Sequence, residues 1–424
     1  MSSPPPGTVE TARFGPETAA HVRAFFGTEP TPLVPLRGSA AAWRLAGVYI
    51  KDESKRLGQQ AFKVFGGAYG MACWMSKNLG VELQSCGGIE GLRKTYLEKK
   101  GGVPTTFVTC TDGNHGRAVA WAAKQLGQKA VVYMPKGSAQ ARVDHITGHG
   151  AECTVTEMNY DDCVKFAAEK AKQNGWVYFQ DTTGPDYFEI PGWIMQGYTA
   201  MADEAIEQIK QLDEGALPTH VLLQVGVGSM AGAVLGYLVE RFRQEGLPVP
   251  VAMMLEPENA ACAYESAKKG DGSTVDVEGD LESMIAGLCC GVLSDIGWPI
   301  LWKHVDGAFV KIADGLAGNG MRLLKSEGVE AGECGGAGVG FVRRLMLAPA
   351  DDKKAAELRR GLGLGPESRV LIFNTEGATD PANYEKQLQL PDVPAAAHDF
   401  EFVLRRLPET ATSEPLAEML KVQA

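Results

Sequence analysis

The chain has 424 residues, 45% hydrophobic and 22% charged, with a formal net charge of −11. That is globular composition, long enough for two or three domains or one large α/β unit with a subdomain. The acidic balance and the lack of a dense Lys/Arg block argue against a nucleic-acid partner.

The opening MSSPPPGTVETARFG is polar and proline-rich, without the apolar core of a signal peptide, so 1–15 reads as a loose tail. Nine cysteines stand at 73, 86, 110, 153, 163, 262, 289, 290 and 334, with no C-x-x-C pair. Neither a metal site nor a secreted disulfide framework is suggested, and reduced thiols in the cytoplasm are the expectation. Whether Cys262 meets Cys289 or Cys290 stays open.

In chain order, TPLVPLRG to GVYIKDE (31–52) belongs with an α/β unit. In ESKRLGQQAFKVFGGAYG (53–70), Lys63 sits between apolar residues just before a glycine pair. Lysine usually keeps its ammonium in water, so one reading is the wet face of a helix start. The other is a lysine held neutral to carry an aldehyde cofactor.

TTFVTC (105–110), KAVVYMP (129–135), ECTVTE (152–157) and WVYFQD (176–181) read as strands. Helices fit between them at 115–127, 139–148 and 160–175. A second series follows, with helices at 193–213 and 229–245. Its strands fall at 220–225, 250–257, 308–312 and 369–375. Strands alternating with helices predict α/β architecture: two open, twisted, parallel-type sheets flanked by helices. The uncharged run 221–239, with Gly228, Gly232 and Gly236, imitates a membrane helix. Its flanks favour a buried strand, a glycine loop and a packed helix, so no membrane span is expected.

Several turns sit at strand ends, where open α/β sheets bind ligands. TCTDGNHGRAVAWAA (109–123) places Asp112 and Asn114 before a helix, as an anion site or as a plain capping turn. QVGVGSMAG (224–232) puts glycines and Ser229 at a helix start, as a phosphate cradle or as a tight packing turn. It matches neither the P-loop nor the dinucleotide fingerprint. FNTEGATDP (373–381) offers Thr375, and GECGGAGVG (332–340) is read as a glycine cluster before a helix.

Together these stretches resemble the pyridoxal-phosphate enzymes of fold type II, the tryptophan-synthase-β and threonine-dehydratase group, over about 31–380. Within it, KDESKRLGQQAFKVFGGAYG, TDGNHGRAVAWAA, QDTTGPDYFEIPGWIMQGY and TEGATD resemble the diaminopropionate ammonia-lyases. The resemblance implies a pyridoxal 5'-phosphate site in the cleft between a large domain (1–66 with 205–424) and a small one (67–204), in a homodimer. Lys63 stands at the Schiff-base lysine and Asn114 at the asparagine facing the ring oxygen. Gly226, Val227, Gly228, Ser229, Met230, Ala231 and Gly232 stand at the phosphate loop, and Thr375 at the pyridine nitrogen. Asp112 and Asp181 stand at the two acidic residues understood to act as bases on the two enantiomers. Cys334 departs from the serine common in the wider group. The stretch 83–104 is longer than in bacterial relatives and carries no assigned role.

The implied chemistry is loss of the substrate's Cα proton, departure of a group from Cβ, and hydrolysis to a 2-keto acid and ammonia. With an amine at Cβ, 2,3-diaminopropionate gives pyruvate and two ammonia molecules. Burial is expected to lower the pKa of Lys63 toward the neutral amine. A neutral hydroxyl at Thr375 would leave the ring nitrogen unprotonated. Threonine-dehydratase relatives carry a small neutral residue at Asp112, so a carboxylate there favours a substrate with a second ammonium. The alternatives are a serine- or threonine-type dehydratase and a non-catalytic pyridoxal-phosphate protein.

Overall fold

The computed structural model describes residues 14–396 and 398–407. Its strands are β1 (Leu33–Pro35), β2 (Gly47–Asp52), β3 (Thr106–Cys110), β4 (Lys129–Met134), β5 (Glu152–Val155), β6 (Val177–Tyr178), β7 (His220–Gln224), β8 (Val251–Pro257), β9 (Gly307–Ile312), β10 (Arg369–Asn374) and β11 (Phe400–Arg405). They form two sheets, ordered β1-β2-β10-β7-β8-β9-β11 and β5-β4-β3-β6. The chain divides into two compact units. The first holds 14–16, 30–55 and the described residues from 201 on; the second holds 17–29 and 56–200.

In the second unit every strand pairing is parallel, with β3 lying between β4 and β6. The apolar runs TFVTC and KAVVYM make the buried strands. Helices Asn114–Leu126 and Tyr160–Asn174 end on Gly127 and Gly175 in the left-handed conformation that glycine adopts without strain. Val108, Cys110 and Val131 pack on Cys163, Ala167 and Ala171 of the latter helix. Residues 83–104 hold a short turn and a helix, Gly88–Lys99, which buries Leu92 and Tyr96. The Tyr96 hydroxyl lies 2.7 Å from Thr105 Oγ1 at the head of β3.

In the first unit, β2, β10, β7, β8 and β9 run parallel. Only the two edges run otherwise: β1 and β11 pair antiparallel with β2 and β9. Proline at 32 and 35 suits an edge, where a missing N–H costs no ladder bond. The run 221–239 divides between β7 and the buried helix Ser229–Gln244. Among the described residues no helix is long and apolar enough to cross a membrane.

Of the glycine cluster at 332–340, expected to precede a helix, only Gly332, the N-cap, does so, and the rest lies inside the helix Glu333–Met346. Glycine's poor helix propensity hid it. A Cβ on Gly336 would come within 2.8 Å of Ala317 O, and one on Gly340 would run into Leu316 O. The glycines therefore let this helix lie backbone to backbone on Asp314–Ser326.

Candidate functional site

In the second unit, Lys63 opens helix Lys63–Leu79. Its glycine pair serves close packing. A Cβ on Gly66 would reach within 2.7 Å of Ile194 O, and one on Gly67 within 3.1 Å of the Ala118 Cβ. Lys63 is thus fixed at the end of a helix wedged against its neighbours. Its side chain is 22% exposed and its Nζ donates to Asp181 Oδ2 at 2.7 Å.

Burial works against charge on Lys63, but the Asp181 carboxylate beside it outweighs that and holds the ammonium above its ordinary range. The expectation of a lowered value is therefore reversed in this geometry by the contact with Asp181, which is made by folding and does not show in the sequence. Burial likewise raises Asp181, and His115 and Lys63 more than reverse it, leaving the carboxyl well below its usual value.

The turn after β3 brings Asp112 and Asn114 into the same unit. Thr111 Oγ1, rather than Asp112 or Asn114, accepts from Gly113 N at 2.9 Å and Gly116 N at 3.1 Å, and so caps the helix. Asn114 Oδ1 accepts from Arg117 Nη2 at 3.2 Å. Arg142 Nη1 donates to the Asp112 carbonyl at 2.8 Å and lies 3.9 Å from its carboxylate, whose side chain is 39% exposed.

His115, absent from the expected site residues, is buried at the head of the Asn114–Leu126 helix. Its Nε2 lies 3.0 Å from Phe179 O, and its Nδ1 3.6 Å from Asp181 Oδ2. Burial first, and the Lys63 charge with it, keeps the imidazole below its ordinary pKa despite Asp181. Its position directly after Asn114 in the turn was the available signal.

The first unit carries the other expected residues. Gly226, Val227 and Gly228 connect β7 to helix Ser229–Gln244, and Ser229, Met230, Ala231 and Gly232 form its first turn. Gly228 has φ 88°, which only glycine takes freely. A Cβ on Gly226 would sit 3.2 Å from Cys290 Sγ and 3.3 Å from Gly287 O. The loop is a tight cradle at a helix N-terminus, the arrangement that suits a phosphate.

Thr375 follows β10, the strand paired in parallel beside β7, so both stand beyond the same carboxyl end of the sheet. Thr375 is 4% exposed, and its Oγ1 is buried without a hydrogen-bond partner. An orphaned hydroxyl beside a phosphate-type cradle fits a pyridoxal-phosphate ring and its phosphate. Cys334, in the first turn of helix Glu333–Met346, has its backbone N–H 3.3 Å from Glu376 Oε1. Burial and the neighbouring glutamates push its thiol well above the ordinary value. All nine cysteines are free.

A family model described as "Pyridoxal-phosphate dependent enzyme" matches residues 24–358. The diaminopropionate ammonia-lyase of Escherichia coli strain K12 is 44% identical over 365 residues, 85% of this chain and 87% of that protein. The solved holo structure of the E. coli enzyme matches with a TM-score of 0.80 at 41% identity, covering 89% of this chain and 93% of that one. The same enzyme in complex with an aminoacrylate-PLP azomethine reaction intermediate matches with a TM-score of 0.78 over the same shares. On this likeness across most of its length, the chain belongs to the diaminopropionate ammonia-lyase family of pyridoxal-phosphate-dependent enzymes.

Proposed function

We propose that this protein converts 2,3-diaminopropionate and one water to pyruvate and two ammonia molecules, with pyridoxal phosphate as cofactor. The observation that carries the reading is a pair of carboxylates in one unit: Asp181 against Lys63, and Asp112 in the turn that also holds Asn114.

Bound pyridoxal phosphate supplies the electron sink that makes the substrate's Cα proton removable. Lys63 is the amine that holds the cofactor aldehyde, and Asn114 offers its amide to the ring oxygen. The N–H groups of Gly226, Val227, Gly228, Ser229, Met230 and Ala231 would hold the phosphate, and Gly232, whose own N–H donates to Gly228 O at 2.8 Å, closes the turn behind them. Thr375 Oγ1 offers the ring nitrogen a hydrogen bond and no charge. Asp181 and Asp112 each accept the Cα proton of one enantiomer, as general bases. Asp112 also provides a counter-charge for the second ammonium of the substrate. The free thiols support a cytoplasmic enzyme, and the family resemblance supports a homodimer.

The deciding experiment is pyruvate release from D- and L-2,3-diaminopropionate, set against serine and threonine. Rapid release from either diaminopropionate isomer, with slow release from serine, is the expected result. Release from serine or threonine alone would make the protein a dehydratase, and release from none would overturn an eliminating enzyme.

A further inference from the structure

Asp181 faces two groups able to carry a positive charge. Its Oδ2 is 2.7 Å from Lys63 Nζ and 3.6 Å from His115 Nδ1. His115 is 2% exposed. Its Nε2 lies 3.0 Å from the Phe179 carbonyl oxygen, and that contact requires the ring proton on Nε2. In the neutral ring, Nδ1 then turns a lone pair toward a carboxylate oxygen, and it has no hydrogen-bond partner. The arrangement is tolerable while the Lys63 ammonium neutralises Asp181. It becomes costly once Lys63 gives up its proton, because a buried carboxylate is left beside an unprotonated imidazole.

We propose that His115 is the alternate holder of the positive charge beside Asp181. When Lys63 Nζ loses a proton, that proton is taken up at His115 Nδ1. The change is from Lys63 ammonium with neutral His115 to neutral Lys63 amine with His115 imidazolium. One proton moves and the summed charge of the three groups stays at zero. This inference rests on the reading that Lys63 reacts as a neutral amine. His115 acts through Lys63 and Asp181 and is a positioning residue. The charged groups facing it are Lys63 from its helix, Asp181 beyond β6 and Asp112 from the turn beyond β3. The swap frees Lys63 as a nucleophile while Asp181 stays ionised and paired.

The test is ring-nitrogen NMR of the full chain labelled at histidine, with the His115 signal identified by its loss in His115→Gln. Its pKa is measured in the cofactor-free chain and in cofactor-free Lys63→Met, with Lys63→Gln as a second variant should the first not fold. The expected result is a rise of about 1–3 units in the Lys63 variant, the range for an opposite charge nearby. Adding Asp181→Asn to the Lys63 variant should cancel it. No rise in the Lys63 variant, or a rise that survives Asp181→Asn, would overturn the proposal. Absence of pyruvate from diaminopropionate would sink the functional reading alone, since the Lys63 variant is titrated without cofactor or substrate.

Discussion

The Lys63 ammonium and the Asp181 carboxylate lie 2.7 Å apart within one compact unit. The pair stores the lysine as a cation and the aspartate as an anion. Each charge stabilises the other, so neither the lysine amine nor the aspartate carboxylate is free to react until the pair is broken.

If Asp181 and Asp112 serve opposite faces of the substrate, their amide variants should separate the enantiomers. Asp181→Asn should cost about 10²–10⁴-fold in kcat/KM on one isomer and little on the other. Asp112→Asn should show the reverse. Steady-state kinetics on each isomer checks this, and equal small losses on both isomers in both variants would count against two bases.

Thr375 gives a test with opposite signs in two states. Thr375→Val keeps the shape and removes a buried, partnerless hydroxyl. Without cofactor, unfolding free energy should stay within about 1 kcal/mol of the wild type or rise. Affinity for pyridoxal phosphate should fall about tenfold, the worth of one lost hydrogen bond. Calorimetric melts and a cofactor titration check the two halves.

Much of this was legible in the sequence. The strand–helix alternation placed β3, β4, β7, β8 and β10 within a residue or two, because buried parallel strands read as short apolar runs. The turns at 112–114, 226–232 and 375 could be picked out because they follow such runs, β3, β7 and β10. What escaped were contacts made by folding: Asp181 against Lys63, His115 behind both, and Thr111 rather than Asp112 as the cap. Edge strand β11 escaped because it lies far along the chain from its partner and is only half buried.

The glycine helix should tolerate no added bulk on its packed face. Gly340→Ala pushes a methyl into Leu316 O and should cost about 1–3 kcal/mol of stability. Gly365→Ala, with no atom within 4 Å of the new methyl, should be near neutral. Denaturant unfolding of the two variants makes the comparison.

His304 predicts an acid limit. It is buried, and burial first, then Arg243, Lys303 and Arg405, bring its pKa from 6.5 down to about 3. A folded pKa below the unfolded one gives stability that is present above pH 6.5 and lost as pH falls toward 3. His304→Gln should flatten that slope by up to about 1.4 kcal/mol per pH unit, measured by unfolding across the window.

The antiparallel closing strand β11 has a consequence for the integrity of the whole sheet. It pairs with β9 from Phe400↔Ile312 to Arg405↔Gly307, so its six residues bind the row of peptide groups that β9 would otherwise leave open. Stripped of that cover, β9 would present a bare, apolar template to any passing chain, the geometry from which intermolecular strand addition starts. The late segment 400–405 therefore moves the open edge of the sheet from an apolar strand to one that carries Glu401 and Arg405, and charge on an edge discourages strand addition.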